Sequence, residues 1–161
     1  MTTPERPRTL LAACGLYCGA CYHYRAGFDE GQHLLADEAR GGRPLRGYTC
    51  RGCWSGHHYR HVDCQMCAIR ACAEARGVPH CGFCEHFPCD RLRAFQSNGR
   101  KHHVPVIDDL RSALASGADG WLARQADRWS CPACGVPFSW YEATCANCGT
   151  ILTSHAPDVP V

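Results

Sequence analysis

Apolar side chains recur at helical spacing in several stretches of the chain. Val106/Ile107, Leu110 and Leu114 follow a 3.6-residue period, and Leu122, Gln125/Ala126 and Trp129 do so again after the Ser116-Gly117 break. These predict two linking helices, the second with Asp119 as its N-cap. Phe28 to Arg40 predicts a further helix, with Asp29 and Glu30 in its first turn, Phe28, Leu35 and Ala39 on one face, and Gly41-Gly42-Arg43-Pro44 as its stop. Met66 to Arg76 predicts another, closed by Gly77 and Pro79. Pro88 can open a short helix, because its missing N–H costs nothing there, and Leu92 and Phe95 would face inward. Gln96 to His103 reads as a polar connection with His102 and His103 solvated. From Cys131 to about Ile151 the helical period gives way to short, turn-rich aromatic segments, which predict β-hairpins. The last residues, His155 to Val161, contain two prolines and are expected to fray.

Composition changes how these elements must be held together. Of 161 residues only 26 are Leu, Ile, Val or Phe, so a large apolar core is not on offer, whereas 15 are cysteine. The net charge of +2 removes charge repulsion as a reason for an open chain. The longest apolar run falls far short of the about 20 residues that cross a bilayer. Leu10 to Ala13 is too short for the apolar region of a signal peptide, so a cytoplasmic location is expected.

An odd number of cysteines without an export signal argues against a disulfide scaffold. Their spacing points to metal. Six pairs have two residues between them: Cys18/Cys21, Cys50/Cys53, Cys64/Cys67, Cys81/Cys84, Cys131/Cys134 and Cys145/Cys148. Such a gap lets the chain turn so that both sulfurs meet one ion. Near the C-terminus, Cys131-Pro-Ala-Cys134-Gly135 and Cys145-Ala-Asn-Cys148-Gly149 form two knuckles, each ending in a glycine suited to positive φ. Four thiolates and no open position are the donor set of structural zinc, and iron is the competing ion. Toward the N-terminus, Cys14, Cys18, Cys21, Cys50, Cys53, Cys64, Cys67, Cys72, Cys81, Cys84 and Cys89 are candidate ligands for up to three more sites. The eight from Cys50 onward suffice for two four-sulfur sites. The triplet Cys14/Cys18/Cys21 needs a fourth ligand, such as His80 or His86, or keeps an open position, and its spacing also suits an iron–sulfur cluster. Cys67 and Cys72 lie about 140° apart around one helix and are not expected to serve one ion.

The ordered motifs Cys14-Gly-Leu-Tyr-Cys18-Gly-Ala-Cys21, Cys50-Arg-Gly-Cys53, Cys64-Gln-Met-Cys67-Ala-Ile-Arg-Ala-Cys72 and Cys81-Gly-Phe-Cys84-Glu-His-Phe-Pro88-Cys89 resemble domain-of-unknown-function family 3795. Gly120-Trp121-Leu122 through Cys131 and Cys134 is similar to members with an appended zinc knuckle. The resemblance implies a small cysteine-rich metal-binding protein and no particular substrate.

From Ala39 to Val62 the chain has no acid but carries Arg40, Arg43, Arg46, Arg51 and Arg60 with His57, His58 and His61. Counter-charge for anionic thiolate sites is the favoured reading. Contact with nucleic acid or an anionic protein is the alternative. Tyr48 and Trp54 would shield Cys50/Cys53 from water. No metalloprotease, hydrolase-elbow, phosphate-loop or deaminase motif is present, which favours a binding protein over an enzyme. The expected fold is a small metal-stapled α+β protein of short helices and cysteine knuckles with a C-terminal zinc-ribbon-like β-hairpin module. Its expected parts are a cysteine-rich domain (1–95), a helical connector (96–129), the module (130–152) and a tail (153–161). Its expected function is zinc binding that organises an interaction surface, with an iron–sulfur or thiolate redox protein as the alternative.

Overall fold

Helix-period positions become helices in the computed structural model, which describes residues 9–36 and 50–155. The described α-helices are α1 (Tyr22–Arg25), α2 (Val62–Gln65), α3 (Ala68–Ala75), α4 (Asp90–Gln96), α5 (Val106–Ser116) and α6 (Ala118–Arg128), with short 3-10 turns between them. No helix is long and apolar enough to cross a membrane.

The organising piece is a tight loop at residues 10–18. It is closed by a Leu11–Tyr17 bridge and by hydrogen bonds from Ala12 to Leu16 and from Cys18 to Leu10. Its small residues Ala12 and Ala13 pack with Ile69, Ala73 and Leu92 against Val106, Ile107 and Leu110 of α5. Gly15, at φ +96°, lies so close to α5 that a Cβ there would stand 2.6 Å from the Val106 carbonyl oxygen. Backbone carbonyls of this segment then collect distant parts of the chain. Leu11 accepts from the Trp54 indole, Ala13 from the Cys81 amide, and Ala20 from the Trp140 amide and the Ser139 hydroxyl.

A second cluster joins Ala20 to Trp129, Phe138, Trp140 and Leu152, with Cys131 and Cys145 among them. Trp121 sits in a third with Leu11 and Ala113, and its edge-on ring contact with Tyr17 links α6 to the loop.

Several boundaries differ from the periodic reading. Toward the end of α5 the buried side chain is Ala113, packed with Leu11 and Trp121, while Leu114 is 41% exposed. On α6 the buried line runs through Trp121 and Trp129. Gly117 occupies the N-cap, and Asp119 is the second residue of the helix, in its first turn. Cys89 caps α4, so Pro88 precedes that helix without starting it. Asp29–Ala36 is a 3-10 helix whose buried side chain is Leu34, with Leu35 only partly covered. The rest of the expected Phe28–Arg40 helix, its Gly41–Pro44 stop and Tyr48 lie outside the described residues.

The β-hairpin module is corrected. Among the described residues there is no sheet, and each C-terminal knuckle is crossed by a single bridge, Ser130–Pro137 and Thr144–Ile151. The connecting backbone spends its hydrogen bonds elsewhere: the Trp140 amide on Ala20, and the Ser139 amide on the Glu142 carboxylate. A ladder cannot grow from groups already paired. The fold is therefore mostly helical, with knuckles in place of strands.

Candidate metal centres

The two C-terminal knuckles repeat one hydrogen-bond scheme. The Cys131 amide donates to Val136 and the Gly135 amide to Cys131; the Cys145 amide donates to Thr150 and the Gly149 amide to Cys145. Gly135 and Gly149 take φ of 75° and 76°, the left-handed turn expected from their position. All four sulfurs lie within 4.8 Å of one another, with Cys131–Cys148 and Cys134–Cys145 each at 3.6 Å. A metal–sulfur bond of about 2.3 Å puts tetrahedral thiolates about 3.8 Å apart, so this quartet could hold one metal ion. Cys131 and Cys145 are buried beneath Trp129 and Phe138, whereas Cys134 and Cys148 form the rim.

The local chemistry favours thiolate at Cys148 and Cys131 but not at Cys145, where the Cys148 amide is outweighed by burial and the Cys134 and Cys148 sulfurs and the thiol rises to about 11. The Thr150 hydroxyl, 3.1 Å away, and then the Thr150 amide bring the Cys148 thiol down to about 6. Burial opposes charge on Cys131, but amide bonds from Cys134 and Ala133 outweigh it and its pKa falls below the ordinary thiol value.

Of the eleven other cysteines, Cys72, Cys81, Cys84 and Cys89 line one cavity of about 30 Å³ together with Ala73, Val78, Phe87 and Leu92. The other seven neighbour one another and, through Cys14 and Cys67, also Cys81. Cys14 is pushed well up by burial and by Cys53 and Cys67; Cys18 likewise by burial and by Cys53. Cys64 rises to about 12 through burial and then the thiolates of Cys21 and Cys50. Cys14 and Cys18 therefore share Cys53 as their strongest thiol neighbour, whereas Cys21 is the strongest thiol neighbour of Cys64. Cys67 is the N-cap of α3, in extended conformation, and Cys72 lies within the helix, so the angle expected between them on one helix does not apply. No disulfide joins any of the fifteen.

Arginines supply the counter-charge, though mostly not the expected ones. Arg60 is buried and donates to the Ser55 carbonyl, and Arg70 is buried against the Gln65 carbonyl and Glu74; both lower the cost of charge on Cys53. Arg51 stacks on Tyr59, and Arg40, Arg43 and Arg46 lie outside the described residues. Arg70 escaped sequence reasoning because a mid-helix arginine reads as solvated. His80 is buried, with Nδ1 accepting from the Gly82 amide, and His86 is exposed beside Glu85.

His102 and His103 correct the expectation of a solvated pair. His102 stacks on Trp140 and bonds the Tyr141 hydroxyl, while His103 is 5% exposed, stacked on Phe95 and bonded to Asn98. Burial brings His102 down to about 3 and His103 to about 4. Both bind a proton more weakly folded than unfolded. Their contribution to stability is thus complete above the usual imidazole pKa of about 6.5 and is lost as pH falls toward 4. At pH 5 each should cost about 1 kcal/mol after solvent screening. Urea titrations at pH 7 and pH 5 should show a smaller acid loss in His103→Gln than in the native protein; equal losses would refute the assignment.

A family model described as a protein of unknown function (DUF3795) matches residues 10–94. That span holds all eleven cysteines from Cys14 to Cys89 and ends before the C-terminal quartet. No curated protein and no solved structure matches the chain.

Proposed function

The chain belongs to the DUF3795 family of proteins of unknown function, and from that premise we infer that it is a zinc-binding protein whose thiolate sites organise an interaction surface. The observation that carries the reading is the C-terminal quartet, four sulfurs already at single-ion spacing. Zinc suits an all-thiolate set with no position left for a substrate, and it would stabilise a segment too small to fold on apolar burial alone. The zinc-ribbon-like segment 130–152 is proposed as a module added to a cysteine-rich domain, 1–95, through the helical connector 96–129. A reducing cytoplasm is the setting that keeps so many thiols available to metal.

The metal sites leave apolar side chains on the outside. Met66, between Cys64 and Cys67, is 83% exposed, Val62 and Tyr59 are exposed in the same cysteine-rich stretch, and Ile151 projects from the second knuckle. Fixing these positions by metal rather than by a core is what would make them a recognition surface.

Two measurements test the two halves of the reading. Elemental analysis should find zinc that falls by one equivalent in Cys148→Ser; iron in that equivalent would reject zinc there. A photo-crosslinking residue in place of Met66 should give one defined protein adduct in cells. Absence of any adduct would reject an interaction surface at that point.

A further inference from the structure

Cys72 on α3, Cys81 and Cys84 from the turn ahead of α4, and Cys89 at its N-cap converge on one cavity of about 30 Å³. Val78, Phe87 and Leu92 complete its wall. The four sulfurs are arranged unlike the C-terminal quartet. Among the described residues, the C-terminal four are the set whose ligand atoms all come within 4.8 Å of one another. The cavity quartet is not drawn together to that extent. One ion draws four thiolates to about 3.8 Å from each other. A cluster places inorganic sulfide between its metals and attaches the thiolates to different irons, so its thiolates stand farther apart.

We propose that Cys72, Cys81, Cys84 and Cys89 hold a polynuclear iron–sulfur cluster. This goes beyond the zinc reading of the C-terminal quartet and does not depend on it. The surroundings suit such a group. Apolar walls keep water from sulfide, and the cavity draws all four of its thiolates from one local stretch, residues 72–89. Arg76 lines the cavity with Cys72 and Cys84, and its guanidinium, which also pairs with Glu85, offsets part of the anionic charge of a four-thiolate cluster. A positive charge beside a cluster favours the reduced and more negative state. Arg76 is therefore a positioning and tuning residue, while the four cysteines are the ligands.

The test uses the full chain, expressed with supplied iron and purified without oxygen. It should be brown, with iron and acid-labile sulfide in equal amounts and a colour that fades on one-electron reduction by dithionite. Cys84→Ser should lower iron, sulfide and colour together and leave the zinc equivalent that Cys134→Ser removes. Because Cys84→Ser could disturb folding, Arg76→Gln supplies a second reading: iron and sulfide unchanged, midpoint potential shifted negative. Colourless protein whose extra zinc disappears in Cys84→Ser would overturn the proposal in favour of a single ion. Iron and sulfide undiminished in Cys84→Ser would overturn it by placing any cluster elsewhere, and an unmoved potential in Arg76→Gln would remove the role given to that arginine.

Discussion

Cys145→Ser and Cys134→Ser should each release the C-terminal ion and unfold residues 130–152, although one side chain is buried and the other exposed. If packing held this segment, only the buried Cys145, which sits among Trp129, Phe138 and Trp140, would matter. If the ion holds it, the exposed Cys134 matters as much, since three thiolates cannot close a four-coordinate site. Zinc supplies about 10 kcal/mol or more to small four-ligand pieces, so the effect should be close to complete. Elemental analysis should read one equivalent lost in either variant. Tryptophan emission should shift red as Trp129 and Trp140, both buried, meet water. A silent Cys134→Ser would show that apolar contact, not metal, maintains the knuckles.

Gly15→Ala should be among the most damaging substitutions outside the cysteines. At φ +96° an alanine is strained before any contact is considered. Its Cβ would also stand 2.6 Å from the Val106 carbonyl oxygen and 2.8 Å from Leu110 Cγ, and a helix backbone cannot turn aside as a flexible side chain can. Left-handed strain of about 1–2 kcal/mol and overpacking of about 1–3 kcal/mol together give about 3 kcal/mol, a large share of ordinary domain stability. The loop carries Cys14 and Cys18, and its carbonyls hold Trp54 and the Cys81 amide, so metal bound by residues 14–89 should fall as well. Urea unfolding and elemental analysis of the same sample check both effects. A midpoint equal to that of the native protein would mean that the loop does not rest on α5.

The knuckles show what a local pattern can carry. Two residues between cysteines and a glycine after the second set the turn, the amide scheme and the sulfur positions, because every group involved lies within a few bonds. Helices α3, α5 and α6 were legible for the same reason, their period being a property of the backbone. The hairpin was not, since whether Trp140 joined a ladder depended on Ala20, more than a hundred residues away, accepting its amide hydrogen bond. His102 and His103 failed likewise: a polar linker looks solvated until Phe95 and Trp140 are known to cover it.

The amino-acid order alone therefore determined the thiol chemistry, the spacing of each cysteine pair, the principal helices and the scarcity of apolar side chains. Tertiary structure decided which thiols share a space: the C-terminal four at single-ion distance, Cys72, Cys81, Cys84 and Cys89 around a cavity, and Cys14 and Cys18 both beside Cys53 while Cys21 neighbours Cys64. Chain geometry constrains sulfurs a few residues apart, whereas sulfurs tens of residues apart are brought together only by packing, here of a small-residue loop on α5.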